Sequence, residues 1–194
     1  MNTRLTEVRP RTRLAPTRIY NQRNGWTATD RLAASNKLRS ALDAQTGLRA
    51  VVEAAAETIC ELLATKSVSL VLLDDRGYRD LVNVGYLAPG EVRFPEDEGN
   101  AAGSYPASTT RLLAGQAYVT IGSCLQLLDE YQNLAPGQSI GAVMGLPILH
   151  DDVVWGEVFL IRDIEAPGFN NDDLQVAYAL ATEFGLRLPV LLEV

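Results

Sequence analysis

The sequence is poor in the residues from which most catalytic and metal centres are built. It has two cysteines, Cys60 and Cys124, in 194 residues, and neither belongs to a CxxC pair or a Cys/His pair at ligand spacing. That excludes a disulfide framework and leaves no zinc motif. His150 is the single histidine, so a histidine general base or a Ser/His/Asp grouping has little to draw on. Long apolar runs are also missing. Ser67–Leu73 and Ile140–Leu149 fall far short of the roughly 20 residues that cross a bilayer. The N-terminus mixes Arg with Thr and Pro and has no apolar signal region. A reduced, cytoplasmic protein without a membrane span is the expectation.

What the chain does have is apolar material: 47% of its residues are hydrophobic, enough for one domain that buries roughly two-thirds of its surface. Its charge is unevenly divided. Residues 1–39 carry nine basic and two acidic side chains, a net +7, whereas residues 40–194 carry eight basic and 22 acidic, a net −14. This pattern predicts a basic arm over residues 1–28 and a single acidic domain over 29–190. The arm has few large apolar side chains and cannot pack a core, so it reads as a solvated tail or as a segment docking on an acidic partner surface. Docking would use Arg4, Arg9, Arg11, Arg13, Arg18 and Arg23. Nucleic acid is the disfavoured partner, because no helix-turn-helix pattern or zinc module accompanies these arginines to read bases.

Apolar periodicity sets the order of elements. A helix starts near Thr29 or Asp30, either of which can cap it, and Gly47 interrupts it. Leu48, Val51, Val52, Ala55, Ile59, Leu62 and Leu63 then repeat on one face of a second helix, which also carries Cys60 in a core role. "SVSLVLLDD" and "RDLVNVGYL" read as a strand hairpin, followed by the acidic loop "APGEVRFPEDEGNAAG". A short helix begins near Ser104 with Pro106 in its first turn and closes at Gly115; "AYVTIG" is a short strand, and "CLQLLDEYQNLAPG" a loop or helical turn.

The most informative stretch is "GAVMGLPILHDDVVWGEVFLI", two apolar strands around a His-Asp-Asp turn expected to be solvated. Pro147 lacks a donor and belongs at a bulge or an unpaired side, and Gly156 marks close approach of backbone or helix. A last helix starts at Asn170, with Asp173 at capping-box spacing and Phe169 and Leu174 as a hydrophobic staple; Leu174, Ala177, Tyr178, Ala181 and Leu188 lie near one face. Helix, hairpin, loop with helix, hairpin and helix together describe an α+β domain, an antiparallel sheet covered by terminal helices on one side.

Over roughly Leu42–Leu188 these segments resemble the GAF domains, sensor modules related to PAS domains. The resemblance rests on the helix before "SVSLVLLDD", on "LLAGQAYVT", and on "SIGAVMGLPIL", "DVVWGEVFLI" and "FNNDDLQVAYALATEFG". It implies an antiparallel sheet of about six strands, terminal helices on one face, a ligand pocket under loops on the other, and homodimerisation through the helices. Family members regulate an output domain. None follows Leu188 in this sequence, so a protein partner is expected to supply the output.

Specialised branches of the family fit less well. Free methionine sulfoxide reductases use several cysteines, but the corresponding region here, "TIGSCLQLLDEY", holds Cys124 alone. Bilin binders follow their cysteine with histidine, where Leu125 stands here. The cyclic-nucleotide signature lacks its Asn-Lys before "RFPEDEG", and His150 falls in a turn, a poor place for a haem ligand. No cofactor is assigned. A generic pocket remains, lined by Phe94, Tyr105, Ser108, Thr109, Cys124, Tyr131, Ser139 and Met144, side chains that can orient a ligand or adapt to it. The expected function is a non-enzymatic sensory or regulatory protein that binds a small molecule and signals to a partner. The alternative is an assembly subunit with a vestigial pocket, docking through its basic arm.

Overall fold

The computed structural model of the chain describes residues 25–74, 77–87, 89–95, 99–100, 106–121 and 140–192. Its first helix, α1 (Ala28–Asp43), begins from a capping box. The Thr27 hydroxyl accepts from the Asp30 amide at 3.1 Å, and the Asp30 carboxylate accepts from the Thr27 amide at 3.1 Å. The cap is therefore Thr27 and not Thr29 or Asp30; the T-x-x-D spacing gives Asp30 the reciprocal role three residues inside. Gly47, at φ 83°, turns the chain from α1 into α2 (Leu48–Leu63), in a conformation that L side chains rarely adopt. As its repeat predicts, α2 buries Val51, Val52, Ala55, Ile59 and Leu63, while Leu48 and Leu62 sit half-buried at the margins.

Six strands follow among the described residues: β1 (Ser67–Asp74), β2 (Gly77–Gly85), the two-residue β3 (Gly99–Asn100), β4 (Tyr118–Ile121), β5 (Ile140–His150) and β6 (Val153–Asp163). They form one antiparallel sheet in the order β3-β2-β1-β6-β5-β4, five strands and a stub at one edge. The hairpins β1–β2 and β5–β6 meet along β1 and β6. Gly156 permits this meeting, since a Cβ there would strike the Val71 carbonyl oxygen of β1.

The β5–β6 hairpin closes through Asp151 and Asp152, both at positive φ (49° and 60°), the two-residue turn whose twist suits paired strands. Its two aspartates are exposed. His150 is not solvated with them: it is half-buried, edge-on to Trp155 at 6.4 Å, with Nδ1 buried and without a hydrogen-bond partner. Pro147 lies beyond the last β4–β5 pair, Tyr118 with Gly145, and just before the bulge at Ile148/Leu149, where its missing donor costs little.

Alternation along the strands gives the sheet two unlike faces. Val68 and Leu70 of β1, Met144, Leu146 and Ile148 of β5, and Val158 and Leu160 of β6 pack against α1, α2 and α4 (Asn171–Gly185). Each such side chain contributes about 1.5–3 kcal/mol on burial. Arg39 of α1 clasps Glu183 of α4 through two bonds of 2.8 and 2.7 Å, and this hydrogen bonding holds the Glu183 carboxyl below its usual range. Leu188 does not extend α4, which ends at Gly185; it opens the short α5 (Leu188–Leu192) and is fully buried.

The start of α4 is as its sequence signals. Asn170 Oδ1 accepts from the Asp173 amide at 2.9 Å, Asp173 accepts from the Asn170 amide at 3.2 Å, and Phe169 and Leu174 both pack on the core. Asn170→Ala is expected to lower stability by about 1 kcal/mol. Urea unfolding followed by circular dichroism measures this; an unchanged midpoint would show that the cap contributes nothing.

Candidate functional site

The sheet face away from α1, α2 and α4 carries a second, smaller cluster: Val71, Tyr78, Leu112, Tyr118 and Val143, with Leu112 supplied by α3 (Pro106–Leu113). Strand register fixes its layout. One row across β2, β1, β6, β5 and β4 reads Asn83, Ser69, Phe159, Gly145, Tyr118. The adjacent row on the same face reads Asp80, Val71, Glu157, Pro147 across β2, β1, β6 and β5. Because Gly145 has no side chain, Tyr118 reaches diagonally over it, and its hydroxyl donates to Glu157 Oε1 at 2.6 Å. A Cβ on Gly145 would strike both the Glu157 carboxylate and the Tyr118 ring. Glycine at this position keeps the Tyr118–Glu157 contact possible.

Two further polar features complete the cluster. The Tyr78 hydroxyl donates to Thr109 Oγ1 at 2.8 Å, which fastens α3 to β2, and Ser108 is buried beside it in the same helix. Thr120 pairs with Val143 in register and shares the face of Tyr118; it is 1% exposed, and its hydroxyl has no hydrogen-bond partner. A buried hydroxyl left in this state costs about 1–3 kcal/mol.

Electrostatics single out Glu157. It is buried, and among the described residues no basic side chain pairs with it. Burial pushes its carboxyl up to about 8, the Tyr118 hydrogen bond opposes this in part, and the nearby charge of Asp80 adds to it. At neutral pH the group is predominantly a neutral acid, able to donate as well as accept. The described part of this face therefore offers hydroxyls and a carboxyl over an apolar floor, which suits binding and orientation. It contributes no cysteine or histidine. Cys60 lies elsewhere, in α2, where its Sγ bonds the Thr65 carbonyl at 3.4 Å and burial pushes the thiol up, away from the reactive thiolate. Among the described residues no group of three or more His, Cys, Asp and Glu could hold a metal ion.

The pocket residues expected from sequence divide into three groups. Ser108 and Thr109 do lie over this face. Phe94 and Met144 do not. Met144 shares its side of β5 with Leu146 and Ile148 and is fully buried under the helices, because side chains alternate along a strand. Phe94 packs at the helix-side core with the Arg49 guanidinium of α2 4.0 Å from its ring centre. Tyr105, Cys124, Tyr131 and Ser139 lie outside the described residues, as do the arm arginines Arg4, Arg9, Arg11, Arg13, Arg18 and Arg23. Sequence reasoning missed Tyr118, Thr120 and Glu157. The available signal was Glu157, an acid in the middle of the otherwise apolar run Val153–Ile161.

Solved structures share this architecture. The GAF domain of an Acinetobacter phosphoenolpyruvate-protein phosphotransferase superposes with a TM-score of 0.62 at 13% identity, over 87% of this chain and 98% of its own. The chromophore-binding domain of the bacteriophytochrome RpBphP3 from R. palustris gives 0.64 at 13% identity, over 85% of this chain and 62% of its own. The cyanobacteriochrome TePixJ GAF domain gives 0.60 at 17% identity, over 81% of this chain and 96% of its own. No curated protein matches the sequence. No helix among the described residues is long and apolar enough to cross a membrane. The family profile described as GAF domain matches residues 47–188, most of the sequence, and covers both hairpins and α4. With that match and this sheet order, the chain belongs to the GAF domain family.

Proposed function

We propose that this GAF protein is a non-enzymatic sensor: a small molecule binds on the sheet face opposite α1, α2 and α4, and the change is passed to a partner protein. The observation that carries this is the buried polar cluster itself. Among the described residues Glu157 is buried without a cation and Thr120 without a partner, which lowers stability, and a core that served only packing would hold apolar residues there. A ligand that met these groups would offset their cost. The solved relatives include two described by their chromophores or photoreceptor class, which fits a family whose members hold ligands. Signalling would run through β5 and β6, which carry the polar face on one side and α4 on the other.

A thermal-shift screen of nucleotides, aromatic metabolites and amino acids against the full chain tests the reading. At least one compound is expected to raise Tm by several degrees, with the shift at least halved by Thr120→Val. No stabilisation across all three classes would overturn it.

One observation favours a second reading, an assembly subunit with a filled pocket. Leu112 of α3 already packs with Val71, Tyr118 and Val143 on this face. On that reading the basic arm does the docking, and deleting residues 1–26 is expected to release a co-purifying partner while leaving the fold intact. Unchanged partners after the deletion would sink it.

A further inference from the structure

We propose that Trp26 is a latch through which a partner gripping the basic arm acts on β6. Such a latch needs no ligand, and so goes beyond the sensing reading. Residues 1–24 carry six Arg against Glu7 and run into the domain at Gly25. Gly25 has a φ of 56°, and a Cβ there would strike Asp172 Oδ2 in the first turn of α4. Trp26 comes next. Its ring is half-buried against the helix-side core, and its Nε1 donates to Asp173 Oδ1 at 3.4 Å. Thr27 then caps α1. The chain leaving the arm is thus fastened to the start of α4 before α1 begins.

Asp173 is shared between this contact and the buried arginine of β6. Its Oδ2 accepts from the Asn170 amide at 3.2 Å and from Arg162 Nη1 at 2.8 Å. Arg162 Nη1 also donates to the Gly168 carbonyl at 3.2 Å, and Nη2 to the Leu63 carbonyl at the end of α2 at 2.8 Å. Along β6, Arg162 faces the helices, while Ile161 and Phe159 face the opposite side with Val143 and Tyr118. One carboxylate therefore connects the residue that follows the arm with α4, α2 and a strand of the far sheet face.

The bonds to Asp173 are unequal, and this makes Trp26 the part that releases. Arg162 brings a full charge at 2.8 Å and is 2% exposed, whereas Trp26 brings a neutral donor at 3.4 Å from a half-buried ring. When Trp26 leaves, Arg162 and Asn170 keep their hold on Asp173 and the fold persists. The first turn of α4 and the Arg162 end of β6 lose a restraint. The coupling is reciprocal, so a shift in β6 also changes the hold on Trp26. A partner with an acidic surface is the kind that opens the latch, since its carboxylates complement the six arginines.

Hydrogen exchange of the full chain, read by mass spectrometry, and Trp26 fluorescence in a Trp155→Phe background test this. The chain has two tryptophans, so that variant reports Trp26 alone. Poly-L-glutamate at low salt serves as the acidic surface. At saturation, Trp26 emission is expected to move to the red. Exchange should rise several-fold in the first turn of α4 and at the Arg162 end of β6, with β2 unchanged. A full-length chain carrying Arg4→Gln, Arg9→Gln, Arg11→Gln, Arg13→Gln, Arg18→Gln and Arg23→Gln should show neither change. Trp26→Phe keeps a ring without the donor; it should show the raised exchange before polymer is added and little further rise after. Unchanged emission and exchange would overturn the proposal, whether the polymer binds without opening the latch or fails to bind. So would an equal response from the glutamine-substituted arm, exchange raised evenly over the whole chain, or a Trp26→Phe pattern equal to that of the parent.

Discussion

Arg162→Met is expected to lower stability by about 3–5 kcal/mol, the usual result of deleting one member of a buried ion pair. Arg162 is 2% exposed on the helix side of β6 and joins three parts of the fold. Nη1 donates to Asp173 Oδ2 at 2.8 Å and to the Gly168 carbonyl at 3.2 Å, and Nη2 donates to the Leu63 carbonyl at the end of α2 at 2.8 Å. Its guanidinium also lies 4.2 Å from the centre of the Phe169 ring. The same Asp173 carboxyl group completes the Asn170 capping box and accepts from Trp26 Nε1 at 3.4 Å. Methionine keeps much of the volume but removes the cation that pairs with the buried Asp173 and the Nη2 donor to the Leu63 carbonyl. Urea unfolding at pH 7 measures the loss, and Arg162→Met combined with Asp173→Asn should recover part of it. A loss below about 1 kcal/mol would contradict the role given to Arg162.

A second large effect is expected in the pH dependence of stability, and Glu157 is its source. The folded protein keeps the Glu157 proton up to about pH 8, whereas the unfolded chain loses it near the ordinary carboxylate value, roughly 4.3. The folded state therefore binds more protons between these limits. The contribution of Glu157 to stability is fully present below the lower limit and is lost as pH rises through the upper one. Glu157→Gln, which has no proton to lose, should lack this slope and exceed the parent in stability by several kcal/mol at pH 9. Urea unfolding of both proteins at pH 5, 7 and 9 checks it. Parallel pH profiles would contradict a buried, unpaired Glu157.

The fold was legible because its signals are local. The Asn170–Asp173 box, the repeat of Val51, Val52, Ala55 and Ile59, and the paired apolar runs around Asp151 and Asp152 each declare an element within a few residues. The missed cap at Thr27 was local too, a T-x-x-D box that the sequence displays. The site was less legible. Met144 and Phe94 have suitable chemistry for a pocket, but alternation puts Met144 on the side of Leu146 and Ile148, and Phe94 lies against α2. Counting in twos from Val143 selects Gly145 and Pro147 for the other face. The bond between Tyr118 and Glu157 joins residues 39 apart through the neighbours β4, β5 and β6, so it depends on strand order and on one glycine between them. No local pattern carries that information.

The position of the ligand on the sheet is most directly measured by amide chemical-shift mapping. The 1H–15N spectrum of the full chain would be recorded with and without a saturating amount of the compound that gives the largest thermal shift. The largest changes are expected at Tyr118, Thr120, Gly145 and Glu157, with smaller ones at Val71 and Asp80. Changes concentrated instead on the exposed sides of α1 and α5, with these six residues unmoved, would contradict a site on this face.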